Sequence, residues 1–152
     1  MDLIGHVAAP AATPLTTSGA ALDTGKLAKI VGHAGEQTGT VYKITLGRDD
    51  LAMKDHGAAI NARMGLNTWA AFYGTQEDAV VAGDIAMLES EVTPVLKALR
   101  KNGIDVVAIH HHMTEEKPMM IFLHYGGRGS AEKLATAVKA AFDQLGKGGP
   151  VH

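Results

Sequence analysis

Cysteine is absent from the 152-residue chain, which excludes disulfides and thiolate zinc sites and leaves the redox compartment undecided. Any metal site must therefore use nitrogen and oxygen ligands, or methionine sulfur. The chain also lacks a large excess of charge of one sign, because its formal net charge is −2 at pH 7. No basic patch indicates a nucleic-acid partner, and no polybasic run indicates a membrane surface. No apolar run approaches the roughly 20 residues that a membrane-spanning helix needs.

The residues that are present are typical of one globular domain. Hydrophobic residues make up 46% of the chain and charged residues 20%, and a chain of this length can bury a sizeable core. Residues 1–21 are rich in Ala, Thr and Pro, which predicts an extended N-terminal arm before a single domain over residues 22–148. The arm lacks the basic start and unbroken apolar stretch of a signal peptide, although a mature exported protein would look the same.

Hydrophobic periodicity predicts one helix and several strands in the first half. "LDTGKLAKIVGHAG" is typical of a short helix that glycines terminate. Strands are predicted over residues 40–46, 67–75 and 79–88, where β-branched and apolar residues alternate or run on continuously. "DDLAMKDHGAAI" is ambiguous and could be a further strand with Leu51 and Met53 facing inward.

The second half predicts two longer helices and a hairpin. Thr93 is a good N-cap and Pro94 suits the first position of a helix that stops at Gly103. "IDVVAIHHH" and "MMIFLHY" are strands joined by the turn "TEEKP", and "GGRGS" leads into the last helix. One face of that helix is apolar and carries Leu134, Val138, Ala141, Phe142 and Leu145. The order predicts an α+β fold, a mainly antiparallel sheet with two helices packed on one face.

Four of the eight histidines lie on this hairpin, at positions 110, 111, 112 and 124. Strand alternation puts His110 and His112 on one face and turns His111 to the other. The Cα atoms of His110 and His112 would lie roughly 6.5–7 Å apart, so both imidazoles could reach one ion. If His110 faces Phe122 across the hairpin, His124 is its diagonal neighbour on the same face. A shift of two residues would put His110 opposite His124, and an odd shift would group His111 with His124.

A strand–helix–strand crossover could bring a carboxylate to these histidines. A right-handed crossover makes its two strands parallel, so their C-terminal ends lie at one edge of the sheet. Glu89 and Glu91 follow the first strand there, and Thr93 as N-cap would leave Glu91 free to turn inward. Three histidines and one carboxylate match a zinc-type site. Three protein ligands plus water would be a catalytic geometry, and a closed set of four protein ligands would be a structural one. Histidines on a strand can equally be ordinary core or edge residues.

Other signals near the hairpin are weaker. Asp84 interrupts an apolar strand and could orient a histidine from behind or bond backbone amides. The glycine-rich "YGGRGS" could hold an anion with help from Arg128, although glycines more often simply free a turn. Methionines 113, 119 and 120 would suit copper, but methionine is more often core filler.

One long segment resembles a known family. "GDIAMLESEVTPVLKALRKNGIDVVAIHHHM", followed by a proline and "IFLHY", resembles the LppY/LpqO family of bacterial domains of unknown function. The resemblance extends through "GRDDL", "MGLNTWAAF" and "GRGSAEKLA", over roughly residues 24–146. It implies functional roles for Asp84, Glu91, His110, His112 and His124. Members of that family are often exported or lipid-anchored, and some carry two copies of the domain, whereas this chain has one copy.

The sequence and the resemblance together predict a metal-binding protein of the cell envelope, periplasmic or secreted, with a cytoplasmic location left open. The expected ligands are His110, His112, His124 and Glu91, with Glu91 as fourth ligand or as a base, and Asp84 behind a histidine. Zinc is expected first, and copper or nickel next. Two alternatives stay open: a hydrolase or lyase using a metal-bound water, and a metal-free module that binds a small polar or anionic ligand. The hairpin strands could also continue the sheet across a homodimer.

Overall fold

The computed structural model describes residues 13–15, 18–51, 54–55, 58–59, 65–112 and 118–147. Within these ranges the chain has an α+β fold with a six-stranded antiparallel sheet and helices packed on one side of it, as predicted. In chain order the elements are α1 (Thr24–Val31), β1 (Gly35–Thr38), β2 (Val41–Gly47), β3 (Lys54–Asp55), β4 (Ala58–Ala59), β5 (Asn67–Gly74), β6 (Ala79–Leu88), α2 (Glu89–Lys101), β7 (Asp105–His110), β8 (Met120–Gly129) and α3 (Ala131–Phe142).

The sheet has the order β1-β2-β5-β6-β8-β7, and β3 pairs with β4 in a separate hairpin. Both β6 and β7 are antiparallel to β8, so they are parallel to each other. The predicted parallel crossover through α2 is therefore present, but β8 lies between its two strands. This insertion is what puts the histidine-bearing strands β7 and β8 side by side.

The two faces of the sheet bury different residues because side chains alternate along each strand. Val81, Ile85 and Met87 of β6 pack into the main core beneath the helices. The opposite face, called the open face here, carries Asp84 and Ala86 of the same strand. A smaller apolar cluster lies on the open face and consists of Leu66, Ala86, Leu88, Met120 and Phe122.

The start of α2 differs from the prediction. The helix begins at Glu89, with Leu88 as its N-cap, so Thr93 and Pro94 both lie inside it. The carboxylate of Glu91 accepts a hydrogen bond of 2.8 Å from the backbone N–H of Leu88 and so satisfies one of the free donors at the helix start. The predicted start at Thr93 and Pro94 is wrong because this capping contact begins the helix five residues earlier.

The end of β8 also differs from the prediction. The residues "GGRG" belong to the strand and not to a turn, because β8 pairs with the whole of β6 as far as Ala79 and Gly129. A Cβ on Gly127 would lie 2.7 Å from Cδ1 of Ile104, so a larger residue at this position would require the end of that side chain to shift. Among the glycines of this segment, Gly127 is the one at which a side chain would be crowded.

Two polar contacts join α1 to its surroundings. The side chain of Asp23 caps the helix by accepting from the backbone N–H of Lys26 at 2.9 Å, and the helix ends at Gly32 with a φ of 83°. The ammonium group of Lys26 contacts Glu132 of α3 at 2.6 Å. Thus α1 packs beside α3 as a third helix, in addition to the two that were predicted to pack on the sheet.

The described part of the N-terminal arm is held by Arg128. Its guanidinium donates to the backbone carbonyls of Thr13 and Pro14 at 2.7 and 3.1 Å, and it also forms an ion pair with Asp78. Arg128 is therefore engaged by protein groups. Met53, which was expected to face inward, lies outside the described residues. Among the described residues, no helix is long and apolar enough to cross a membrane.

Candidate functional site

The hairpin of β7 and β8 brings two of the predicted histidines together. The register pairs His110 with Phe122 and Ala108 with His124, which is one of the alignments that the sequence left open. His110 and His124 are therefore diagonal neighbours on the open face. Their Nε2 atoms face each other at 2.7 Å, and their ring centroids lie 4.8 Å apart.

This separation between two imidazole nitrogens has a direct chemical consequence. Two lone pairs at 2.7 Å would repel, so a proton must lie between the nitrogens of His110 and His124. One ring then donates and the other accepts. A cation would be attracted by both lone pairs at once, but the gap of 2.7 Å fits a shared proton as it stands.

His112 lies beside this pair but does not point into it. Its ring stacks on Phe122 with centroids 3.6 Å apart and an angle of 5° between the planes. The ring centroid of His110 lies 4.9 Å from that of His112 and 6.2 Å from that of Phe122. The aromatic ring of Phe122 therefore acts as a platform that keeps His112 within one side-chain rotation of the other two imidazoles.

Asp84 lies behind His124 on the neighbouring strand β6. The two residues are directly paired in the sheet, and Oδ1 of Asp84 is 3.6 Å from Nδ1 of His124. Asp84 is 7% exposed, and its Oδ1 atom is buried without a hydrogen-bond partner. Burial raises the pKa of Asp84, while the nearby His124, His112 and His110 oppose that rise. A buried acceptor so close to an imidazole can orient that imidazole.

The same row of the sheet continues to a tryptophan. Cross-strand pairing sets Thr45, Trp69, Asp84 and His124 side by side on the open face. The ammonium group of Lys43 lies 4.5 Å from the centre of the Trp69 ring, within the range of a cation–π contact. The imidazoles therefore lie at one end of a row that also contains an aromatic ring.

His111 is directed elsewhere, as the alternation of side chains predicts. Its Nδ1 atom lies 3.0 Å from the backbone carbonyl of Met120, and the residue is exposed. This contact binds the end of β7 to the start of β8. It gives His111 a structural contact that does not involve the other three imidazoles.

The structure does not bring Glu91 together with the histidines. Its carboxylate forms a paired contact with the guanidinium of Arg48, at 2.8 and 3.0 Å, and accepts further bonds from the backbone N–H groups of Leu88 and Gly146. Glu91 is 1% exposed. With four donors directed at its two oxygens, this carboxylate holds α2, the residue after β2 and the segment after α3 together.

Arg48 joins Glu91 to a second carboxylate nearer the surface. Its guanidinium also contacts both oxygens of Asp50, at 2.9 and 2.8 Å, and the carbonyl of Ala86 at 2.8 Å. The hydrogen bonds from Arg48 lower the pKa of Asp50. The prediction that Glu91 joins the histidines is wrong because its carboxylate is paired with an arginine 43 positions away. The spacing of acidic residues could not reveal this partner.

The arrangement within one chain is short of a complete metal site. Among the described residues, no three His, Cys, Asp or Glu side chains are placed so that they could hold a metal ion as they stand. Two imidazoles converge, a third lies beside them, and a carboxylate stands behind one of them. Phe122 and Trp69 were not among the predicted site residues, and the cross-strand register is the signal that identifies both.

Comparisons with known proteins identify a family but no activity. A search of the curated proteins found no significant match, and a search of the solved structures found none either. A family model described as Domain of Unknown Function (DUF1259) matches residues 25–144. That match includes both histidine-bearing strands, Asp84 and Glu91. The chain therefore belongs to this family of domains of unknown function.

Proposed function

We propose that the protein binds a divalent transition metal, zinc first, through His110 and His124 on the open face. The observation that carries the proposal is the approach of their two Nε2 atoms to 2.7 Å. Two imidazole nitrogens on a tetrahedral zinc ion lie roughly 3.3 Å apart, because each Zn–N bond is about 2.0–2.1 Å. A small opening of the pair would therefore admit the ion.

Two neighbouring groups support this assignment. His112 is held against Phe122 and can supply a third nitrogen by rotation of its side chain. Asp84 has a buried oxygen without a partner, and it faces Nδ1 of His124. Ligating histidines commonly donate their second ring N–H to a carboxylate, which fixes the tautomer and raises the basicity of the ligand. Asp84 would fill that role, and Glu91 has no part in the site.

Exposure of the imidazoles favours a second candidate, a hydrolase or lyase that uses the same metal. The side chain of His124 is 42% exposed and His112 is exposed, so a small substrate can reach them. The expected base, Glu91, is fully engaged with Arg48. Any proton transfer would therefore depend on the histidines, with His112 as the most accessible group.

The finer family assignment and the location are also proposals. We propose, on the resemblance of the hairpin and crossover segments, that the chain is a single-copy LppY/LpqO-type domain that works in the cell envelope. Fractionation of cells that express the natural gene would test this. Recovery in the periplasmic or secreted fraction is expected, and recovery in the cytoplasm alone would contradict it.

Replacement of His110 tests the metal proposal against a matched control. We expect His110→Ala to lower the affinity for Zn²⁺ at least about 100-fold, because loss of a ligand costs more than the 10–100-fold typical of an outer-shell partner. His111→Ala should leave the affinity unchanged, because the ring of His111 contacts the carbonyl of Met120 instead. Isothermal titration calorimetry measures both values.

The metal-free alternative predicts a different result from the same titrations. Wild-type protein that takes up no Zn²⁺, Cu²⁺ or Ni²⁺ would contradict the proposal and leave the imidazole pair as a hydrogen-bonding site for a small polar ligand. Equal losses in His110→Ala and His111→Ala would show that the ligand set is wrong.

A further inference from the structure

The two edges of the six-stranded sheet differ in chemistry. One edge is β1, which is four residues long and carries Glu36, Gln37 and Thr38. The other edge is β7, where Val107 and Ile109 are 72% and 46% exposed. Native proteins normally protect edge strands with charges or keep them short. The edge at β7 instead exposes two large apolar side chains, so it is open to pairing with another strand.

A β-bulge gives this edge strand an unusual symmetry. The register against β8 shifts between Val106 and Ala108, so that Val107 is the extra residue. Asp105 pairs with Gly126 and His110 pairs with Phe122, and these two partners are four residues apart. Asp105 and His110 therefore lie on the same face and have their backbone groups in the same direction, although they are five positions apart. Without the bulge they would lie on opposite faces.

We infer that two copies of this chain pair through β7, antiparallel, with Asp105 of each copy opposite His110 of the other. In this register Val106 faces Ile109 of the partner subunit, and both side chains lie on the helix face. Val107, at the centre, faces Ala108 of the partner subunit. An acidic and a basic side chain thus meet at each end of an apolar centre, so the strand is complementary to itself.

The side chain of Asp105 is available for this contact. It is 83% exposed and lies 3.6 Å from Arg100, which is 69% exposed. A solvent-exposed ion pair of this kind contributes little, typically up to about 1 kcal/mol. Asp105 can therefore exchange this contact for one with the imidazole of His110 of the partner subunit, and the two strand ends would then carry no unpaired acid.

The pairing completes the histidine site, and this step rests on the proposed metal function. Nε2 of His110 points towards His124, so Nδ1 remains for another partner. Within the part of the chain that the structure describes, Nδ1 has a long contact of 3.4 Å to the carbonyl of His111. The carboxylate of the partner's Asp105 would accept from this Nδ1. Each imidazole of the pair would then have one carboxylate behind it, Asp84 for His124 and the partner's Asp105 for His110.

Sedimentation in the presence of chelator tests the pairing without metal. The wild type is expected at twice the 15.9 kDa chain mass. Val107→Lys puts a charge at the centre of the edge and should give monomers. Val41→Lys is the matched control, since Val41 is an exposed valine of β2 in the same sheet, and this variant should stay dimeric. A monomeric wild type, or dimers that persist in folded Val107→Lys, would overturn the inference.

Introduced cysteines test the register, because the chain has no others. Asp105→Cys/His110→Cys should form disulfide-linked dimers on mild oxidation, since directly opposed residues lie within disulfide reach. Because of the bulge the two positions span four strand steps and are roughly 13 Å apart along one strand, too far for a bond within a chain. Either single variant should link poorly. Efficient linking of Val107→Cys to itself, with none in the double variant, would overturn the register.

The contribution to metal binding has its own readout. Asp105→Asn is expected to lower Zn²⁺ affinity about 10–100-fold at protein concentrations where the dimer persists. Unchanged affinity in a dimeric variant would overturn the role of Asp105 while leaving the pairing in place. If dimers form and cross-link but the wild type takes up no Zn²⁺, the metal proposal fails and the interface stands.

Discussion

Replacement of Glu91 by alanine is expected to lower the free energy of unfolding by about 3–5 kcal/mol, the usual cost of breaking a buried ion pair from one side. The variant leaves the guanidinium of Arg48, which is 3% exposed, with Asp50 as its remaining counter-charge. It also removes the acceptor of the Leu88 and Gly146 backbone N–H groups. Urea unfolding of wild type and variant measures the difference.

Two further variants give this experiment its controls. Asp50→Ala removes the other partner of Arg48, but Asp50 is 44% exposed, so the loss should stay within about 1 kcal/mol. Arg48→Met/Glu91→Leu replaces the pair by apolar groups and should cost much less than Glu91→Ala, because no buried charge remains. A loss below about 1 kcal/mol for Glu91→Ala would show that the carboxylate is not held by Arg48 as described.

The same Glu91 variants separate structure from metal binding. Glu91→Gln, where it folds, should bind Zn²⁺ as tightly as the wild type, because the carboxylate contacts Arg48, Leu88 and Gly146 and no histidine. Loss of Zn²⁺ binding in a variant with a native circular dichroism spectrum would restore Glu91 to the ligand set.

Gly83→Ala is expected to destabilise the protein by about 3 kcal/mol, at the upper end of the usual range for overpacking. A Cβ at this position would lie 2.2 Å from Oη of Tyr125 and 2.3 Å from the carbonyl oxygen of Trp69. Tyr125 is buried across Gly83, and its hydroxyl donates to that carbonyl at 3.1 Å. Either the phenol or the backbone of β5 must shift, and both lie in the core beside the Asp84–His124 row.

A matched glycine and a double variant test this explanation. A Cβ on Gly129 would meet nothing within 4 Å, so Gly129→Ala should change the stability by no more than about 0.5 kcal/mol. Tyr125→Phe removes the hydroxyl, and combined with Gly83→Ala it should recover part of the loss through a coupling of at least about 0.5 kcal/mol. Strict additivity of the two substitutions would show that the phenol is not the obstacle.

Much of the fold could be predicted because local patterns and the tertiary structure agree. The apolar run over 79–88 forms β6, and the periodic residues of the last helix pack in the core as expected. One of the alignments that the sequence left open places His110 and His124 on one face, and strand alternation turns His111 towards the backbone of Met120. These features depend on short-range geometry, which the sequence displays directly.

Other features depend on contacts between distant residues. The helix start at Glu89 depends on the contact between Glu91 and the backbone of Leu88, and the position of Glu91 depends on Arg48. Arg48 directly follows β2, a strand that β5 separates from β6. The glycines before Arg128 are typical of a turn, but they lie in β8 because they pair with Val81 and Ala82 of β6. Spacing of residue types could identify the histidine pair, but it could not distinguish a ligand carboxylate from one that is already paired with arginine.

Metal content is the most direct test of the central claim that His110 and His124 hold a metal ion. The measurement is inductively coupled plasma mass spectrometry on protein purified without an affinity tag or chelator, beside His124→Ala prepared in the same way. The account predicts close to one zinc, copper or nickel ion per chain in the wild type and none in the variant. Wild-type protein that carries no metal and takes none up on titration, or a variant that retains the full amount, would contradict it.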